Sequence, residues 1–281
     1  MNRLPEYLKR PIIDTEKTKT VRRILREKCL NTVCEGARCP NKSECYACNT
    51  ATFLIMGNVC TRNCRYCNIS TARPEPLDLD EPLRVAEAVR DLGLKYAVIT
   101  SVTRDDLPDG GAEHFSNCIN KIRELTPEVK VEILTPDFKG DCQALDTIIK
   151  AHPDVFNHNI ETVQRLFKTA RPQGSYEHSL EVLKYVKENS DIITKSGLMV
   201  GLSETEKEIE QTLLDLKSAG VDIVTIGQYI QPSKQHLNVA KFYTPEEFED
   251  LKTLAKKIGF RQYQIGPLVR SSYHAAQTFE S

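Results

Sequence analysis

The apolar run Ala51-Thr-Phe-Leu-Ile-Met56 leads, after three residues, into Cys60-Thr-Arg-Asn-Cys64-Arg-Tyr-Cys67. The first segment is β-rich and of strand length. The second holds three thiols in eight residues, spaced four and then three apart. A loop this tight has no core to fill, so its backbone wraps around something. Three thiolates converging on one point suit a soft metal centre. A structural zinc closes four ligands, and the nearest histidine is His114. Three thiolates on a four-iron cubane leave one iron open to a small molecule. Zinc and chance spacing are the blander readings.

Downstream of this strand a pattern repeats. Further β-rich runs fall at Tyr96–Ser101, Lys130–Leu134, Val155–Asn159, Gly197–Leu202 and Asp222–Tyr229, with helical patterns between them. Phe115, Cys118, Ile119, Ile122 and Leu125 share one helix face, which makes Cys118 a core residue; Cys142, Leu145 and Ile149 read the same way. Pro82 stands near one helix start and Gly93 just past its end. Thr244-Pro-Glu-Glu247 reads as a capping box with proline in the first turn. Phe248, Leu251, Leu254, Ala255 and Ile258 give the buried stripe before Gly259. Strand–helix alternation at this spacing implies a parallel sheet. Six units are fewer than the eight of a closed barrel, so the expected fold is α/β: a partial (β/α)6 TIM-like barrel. Residues 1–50 form an N-terminal cluster-binding extension, 51–260 the barrel, and 261–281 a C-terminal tail.

In such a barrel the chemistry sits at the carboxyl ends of the strands. The first strand runs straight into the Cys60 loop. The others end in Ser101-Val-Thr-Arg104-Asp105-Asp106 with Asp109-Gly-Gly111 beyond, Thr135-Pro-Asp137, Asn157-His158-Asn159-Ile-Glu161, Gly201-Leu-Ser203-Glu204 and Gly227-Gln228-Tyr229. An amide and a carboxylate can bind two hydroxyls, so Asn159 and Glu161 are candidates for a ribose. Lys195 and Arg171 are candidates for a ligand carboxylate. His158 reads equally as a satisfied interior histidine.

Upstream lies a second triplet, Cys34-Glu-Gly-Ala-Arg-Cys39-Pro-Asn-Lys-Ser-Glu-Cys45, with thiols five and six residues apart. Gly36, Pro40 and Asn41 suggest irregular loop rather than helix. It reads as a second iron–sulfur site, with a zinc knuckle completed by Cys29 or Cys48 as the alternative. Otherwise Cys29, Cys48, Cys118 and Cys142 are structural. The first thirty residues carry nine Lys/Arg against four Asp/Glu. Val21, Ile24, Leu25 and Lys28 suggest a short helix there. Its basic side, with Arg22, Arg23 and Arg26, is either a solvated face or a surface for an acidic partner.

Bulk properties narrow the classes. A net charge of −1 over 281 residues gives no global reason for nucleic-acid or membrane binding, and no apolar run is long enough to span a bilayer. Ten cysteines could mean a secreted disulfide framework, but six of them fall in the two triplets and no signal peptide or organelle-targeting stretch is seen. Thiolate ligands need a reducing compartment, so a cytoplasmic location is expected.

The Cys-x3-Cys-x-aromatic-Cys pattern, with Tyr66 before the last cysteine, resembles the signature of radical SAM enzymes. Joined to the Cys34/Cys39/Cys45 triplet fifteen residues upstream, the Ser101–Gly111 stretch, Asn157–Glu161 and Arg270-Ser-Ser-Tyr273, it resembles the lipoyl synthase family from Cys34 to Ala275. The resemblance implies two 4Fe-4S clusters and S-adenosyl-L-methionine. Cys60, Cys64 and Cys67 would hold the cluster that binds and cleaves S-adenosylmethionine. Cys34, Cys39 and Cys45 would hold an auxiliary cluster whose fourth ligand is a tail serine, Ser272 in preference to Ser271. The implied reaction is sulfur insertion at C6 and C8 of an octanoyl-lysine on a lipoyl carrier domain, as in 2-oxoacid dehydrogenase E2 subunits or glycine cleavage H protein. Further implied partners are a low-potential donor such as ferredoxin or flavodoxin and an iron–sulfur carrier protein. Rival readings are another sulfur-inserting radical SAM enzyme of the biotin synthase or methylthiotransferase kind, a zinc-stabilised binding module, and a two-cluster electron-transfer protein.

Overall fold

A computed structural model describes residues 4–11, 13–48 and 50–280. The first three residues, read above for a targeting signal, lie outside them, as do Ile12 and Asn49 within the expected extension. The chain divides into two compact units, one made of Arg10–Arg62 and Asn68–Phe156, the other of the described residues up to Lys9, Asn63–Cys67 and the chain from Asn157 onward.

The first unit opens with α1 (Glu16–Glu27), capped reciprocally: the Thr15 hydroxyl accepts the Thr18 amide and the Thr18 hydroxyl accepts the Thr15 amide. Val21, Ile24 and Leu25 form its buried face. Strand β1 (Asn31–Thr32) follows, then α2 (Val33–Gly36) and α3 (Lys42–Ala47). The second cysteine stretch is therefore not the irregular loop expected from its glycine and proline. Thr32 caps α2 by accepting the Glu35 amide at 3.3 Å, and Pro40 breaks only the link between the two short helices. Strand β2 (Thr52–Ile55) leads to β3 (Val59–Cys60), which pairs in parallel with β4 (Ser70–Thr71).

Helix α4 (Glu81–Asp91) has Pro82 in its first turn. It anchors the end of α1: the Lys28 ammonium meets Glu87 at 2.9 Å and Asp91 at 3.0 Å, and Arg84 Nε donates to the Lys28 carbonyl at 2.8 Å. Strands β5 (Tyr96–Ser101), β6 (Lys130–Leu134) and β7 (Val155–Asn157) alternate with α5 (Ala112–Leu125) and α6 (Cys142–Ala151). The sheet order is β1-β2-β5-β6-β7, with β2, β5 and β6 parallel and β1 antiparallel to β2. Strands buried on both faces read as continuous apolar runs, as Tyr96–Ile99 does. Cys118 is buried as expected, but Cys142 is exposed. Asp141 caps α6 by accepting the Gln143 amide, so Cys142 starts the helix and the inward face is Ala144, Leu145, Ile148 and Ala151. Cys29 and Cys48 are exposed as well.

The second unit contains α7 (Gln164–Ala170), α8 (Tyr176–Asn189), β8 (Ile193–Val200), α9 (Glu206–Ser218), β9 (Ile223–Gln228), α10 (Pro245–Ile258), β10 (Gln262–Gly266) and α11 (Ala275–Glu280). Strands β8, β9 and β10 are parallel neighbours in that order. The Thr244–Glu247 capping box forms as read, and Phe248, Leu251 and Ala255 bury. Near the start of the chain, Leu8 is buried and the Tyr7 hydroxyl donates to the Tyr243 carbonyl at 2.9 Å. All six expected strands are present, and the α/β class with a mostly parallel sheet stands. Strands β1, β3, β4 and β10 were not expected from the sequence. Among the described residues no helix is long and apolar enough to cross a membrane.

Candidate active site

Within the first unit, Cys60 ends β3. Its sulfur accepts the Thr103 amide at 3.3 Å and the Arg62 amide at 3.4 Å. Two amide donors thus hold this sulfur in place at the end of β3. Thr61 ties the same turn to the end of β5: its amide and hydroxyl both reach the Thr103 carbonyl, at 3.1 and 3.0 Å, and its oxygen accepts the Asp105 amide at 3.1 Å. Arg62 lies between two aspartates read above only as rim polarity. Its guanidinium donates to Asp105 at 2.7 and 2.9 Å and to Asp137 at 2.7 and 2.8 Å. Burial opposes the Arg62 charge, but the hydrogen bonds to Asp105 and Asp137 outweigh it and raise the pKa. Just before the loop, the buried Glu81 carboxylate accepts the Met56 amide and meets His114 Nε2, both at 2.8 Å. Gly111 opens α5 at φ 92°, and a Cβ there would lie 2.3 Å from the Met56 sulfur.

Cys64 and Cys67 belong to the second unit. The Cys67 amide donates to the Cys64 carbonyl at 3.1 Å, the Arg65 amide to the Ala170 carbonyl at 2.9 Å, and the Leu237 amide to the Arg65 carbonyl at 3.0 Å. His236 Nε2 lies 2.9 Å from the Cys67 carbonyl. A carbonyl only accepts, so Nε2 is the donor there, and Nδ1 lies 2.8 Å from the Ser233 hydroxyl. Neither Ser233 nor His236 was singled out in the sequence. Their one signal was a histidine in a polar stretch, Gln231–Asn238, with no periodicity to explain it.

The expected ligand-binding residues of this unit fall into two groups. Burial raises the Glu161 pKa, while the Arg171 charge, hydrogen bonds from Asn159 and Tyr66, and the Arg270 charge pull it back. The Tyr66 hydroxyl, inside the cysteine loop, is pushed well above its usual pKa by burial and by the Glu161 charge. Arg171 also donates to the Asn159 carbonyl at 3.1 Å and stacks over Phe167. Asn159, Glu161 and Arg171 thus gather with Tyr66 and Arg270. Lys195 lies instead inside β8 at 1% exposure, with its carbonyl accepting the His158 amide at 3.0 Å, and His158 is buried. In the tail, Asn159 Nδ2 donates to Ser271 Oγ at 3.4 Å. The tail crosses β9 so closely that a Cβ on Gly227 would lie 2.0 Å from the Val269 carbonyl oxygen.

In the first unit, Cys34 sits on α2, Cys45 on α3 and Cys39 between them. Burial first, and then the Cys39 charge, push the Cys34 thiol up to about 11, against hydrogen bonding from Thr52. Cys45 is pushed up to about 12 by burial and by the charges of Cys34, Cys39, Glu44 and Cys48. The three thiols are close enough to feel one another, and as bare thiolates they repel. Such a donor set fits a cationic, sulfur-loving centre, which removes that penalty. Among the described residues no group of three His, Cys, Asp or Glu is arranged to hold a single metal ion. A cluster spreads its thiolates over separate irons.

Residues 54–216 match the radical SAM superfamily. The chain is 54% identical to the lipoyl synthase of Rubrobacter xylanophilus, over 98% of this chain and 86% of that one. The chain belongs to the lipoyl synthase family. It is 53% identical to the lipoyl synthase of Caldanaerobacter subterraneus subsp. tengcongensis, over 97% of this chain and 96% of the relative. The protein is a radical SAM enzyme of the sulfur-inserting kind, whose family uses two 4Fe-4S clusters and S-adenosylmethionine. Among solved structures it resembles methylornithine synthase PylB, with a TM-score of 0.58 at 12% identity over 89% of this chain and 72% of that one. It also resembles the [FeFe]-hydrogenase maturase HydG, with a TM-score of 0.59 at 15% identity over 89% and 56%. These two likenesses concern the fold.

Proposed function

We infer that the protein inserts two sulfur atoms, at C6 and C8, into an N6-octanoyl-lysine carried by a lipoyl domain. The observation that carries this reading is the pair of thiol sets: one triplet mutually coupled in charge, the other set in a loop whose first sulfur receives two amide donors. When bound, S-adenosylmethionine and the cluster at Cys60, Cys64 and Cys67 supply a 5′-deoxyadenosyl radical, and the cluster at Cys34, Cys39 and Cys45 supplies sulfide. Unactivated C–H bonds resist acid–base chemistry, so the protein's own task is to bind, orient and exclude water.

Asn159 and Glu161 would hold the ribose of S-adenosylmethionine. Arg171, beside Glu161, and Lys195, inside β8, are the candidates for the ligand's carboxylate. The fourth auxiliary ligand would be Ser272, since Ser271 already receives the Asn159 amide. Hard serine oxygen is a mismatched partner for a soft site, which would make this ligand easy to release. On this reading residues 1–50 and 261–281 serve the auxiliary cluster, and residues 51–260 are a partial barrel serving the radical step. The protein substrate would be an octanoylated E2 subunit or H protein, with a ferredoxin- or flavodoxin-like donor and an iron–sulfur carrier as helpers in a reducing cytoplasm.

The test is anaerobic turnover with an octanoylated lipoyl-domain peptide, reading lipoyl product and 5′-deoxyadenosine together. The reading expects both products, with about eight iron and eight sulfide per reconstituted chain. Formation of 5′-deoxyadenosine without sulfur in the peptide would contradict it.

A further inference from the structure

We propose that Arg62, clamped between Asp105 and Asp137, is a positioning residue that fixes Cys60 and sets the charge around the cluster this thiolate holds. The inference rests on the cluster reading of Cys60, Cys64 and Cys67. Arg62 stands two residues after Cys60, and its side chain is only 5% exposed. The guanidinium makes four hydrogen bonds to carboxylate oxygens between 2.7 and 2.9 Å, with Nη2 serving both aspartates. This side chain therefore locks the cysteine turn to the segments following β5 and β6.

The main chain of the same residue is engaged as well. Its amide donates to Cys60 Sγ at 3.4 Å, and its carbonyl accepts the Thr71 hydroxyl at 3.0 Å. Releasing the side chain frees the turn that aims an N–H at the sulfur. Asp137 is held in turn by the Lys139 amide at 3.0 Å, while the Lys139 ammonium reaches the Asp105 carbonyl at 3.1 Å and its carboxylate at 3.8 Å. No atom of Arg62 needs to meet substrate for this role.

One guanidinium against two carboxylates leaves Arg62, Asp105 and Asp137 with a net charge of −1, with Arg62 and Asp137 buried, Asp105 partly exposed and the Lys139 ammonium near it out in solvent. A buried ion network is weak as a source of stability, since apolar replacements often serve as well. Beside a redox centre, however, fixed charge in a poorly screened site changes the free energy of adding an electron. Arg62 favours the reduced state, and each aspartate opposes it.

The experiment uses the full chain, reconstituted anaerobically, with redox titration followed by electron paramagnetic resonance. The signal read is the reduced-cluster signal that changes when S-adenosylmethionine is added. Arg62→Gln leaves two carboxylates unopposed and should make the potential more negative. Asp137→Asn removes one carboxylate and should make it less negative. The double variant R62Q/D137N has the wild-type net charge and should return towards the wild-type potential. R62K keeps the charge but loses the fork, and should hold the potential while retaining less iron. Opposite shifts in the single variants, cancelled in the double, are what a purely structural role does not produce. If a single variant does not fold, the double variant and R62K decide: the proposal is overturned if R62K shifts the potential as far as any charge-changing variant. It is equally overturned if all variants share the wild-type potential, or if the singles shift in one direction. A wild-type chain with no signal responding to S-adenosylmethionine would instead overturn the cluster reading itself.

Discussion

Gly227 shows how one residue can govern the tail. It lies on β9 in ordinary backbone geometry, yet the Val269 carbonyl occupies the space a methyl group would need, 2.0 Å from an ideal Cβ. Gly227→Ala should leave the fold largely intact and push the 267–272 segment away. The expected result is S-adenosylmethionine cleavage close to wild type with sulfur insertion lost, measured by 5′-deoxyadenosine and lipoyl product on the same samples; equal loss of both would show a general packing defect. At this scale the two cysteine triplets were legible because each falls within twelve residues of sequence. The groups that position them were not. Arg62 finds Asp105 and Asp137 at separations of 43 and 75 residues, and His236 reaches Cys67 across 169. No local pattern encodes such pairings.

Among the elements, helices with sequence-local caps were the easiest to read. Thr244 and Glu247 satisfy each other's amides, and Pro245 has no amide to lose in the first turn. Thr244→Ala should destabilise the protein by about 1 kcal/mol, seen as a lower urea midpoint with unchanged slope; no shift would mean that α10 is held by packing alone. Strand β8 was expected at Gly197–Leu202, starting late because Thr194, Lys195 and Ser196 look like loop residues, although all three are buried, and running two residues past its end at Val200. Strand β10 went unread because Gln262, Tyr263 and Gln264 are half-buried and polar for the most part. Two four-to-six-residue helices in the Cys34–Cys45 stretch were hidden by Gly36 and Pro40, since neither residue forbids a single turn on either side. Helix α1 keeps its basic side partly balanced: Arg22 faces Asp14 at 3.4 Å and Arg23 faces Glu27 at 3.2 Å, while Arg26 is exposed. Exposed pairs of this kind add little stability. Reversing Arg22, Arg23 and Arg26 to Glu should therefore raise the Michaelis constant for an acidic carrier domain several-fold at low salt, with little change in melting temperature. An unchanged constant would remove this face from carrier recognition.

For the whole molecule, alternation of strand and helix was enough to place the chain in the α/β class, because most of its parallel strands contain a short apolar run and helical patterns lie between them. The division into two units was not legible. It interrupts the cysteine loop itself, with Cys60 in one unit and Cys64 and Cys67 in the other, and sequence spacing carries no trace of that. The chemistry asked of the molecule is equally a property of the whole chain, since the cluster on one thiol set would start the radical and the cluster on the other would give up its sulfide. The most direct measurement is a single turnover by enzyme reconstituted with heavy-isotope sulfide, with no other sulfur source, followed by mass spectrometry of the octanoylated peptide. Lipoyl product should carry two heavy sulfur atoms, in an amount no greater than the enzyme present. Lipoyl product without the heavy isotope would contradict a sulfur source held on the enzyme itself.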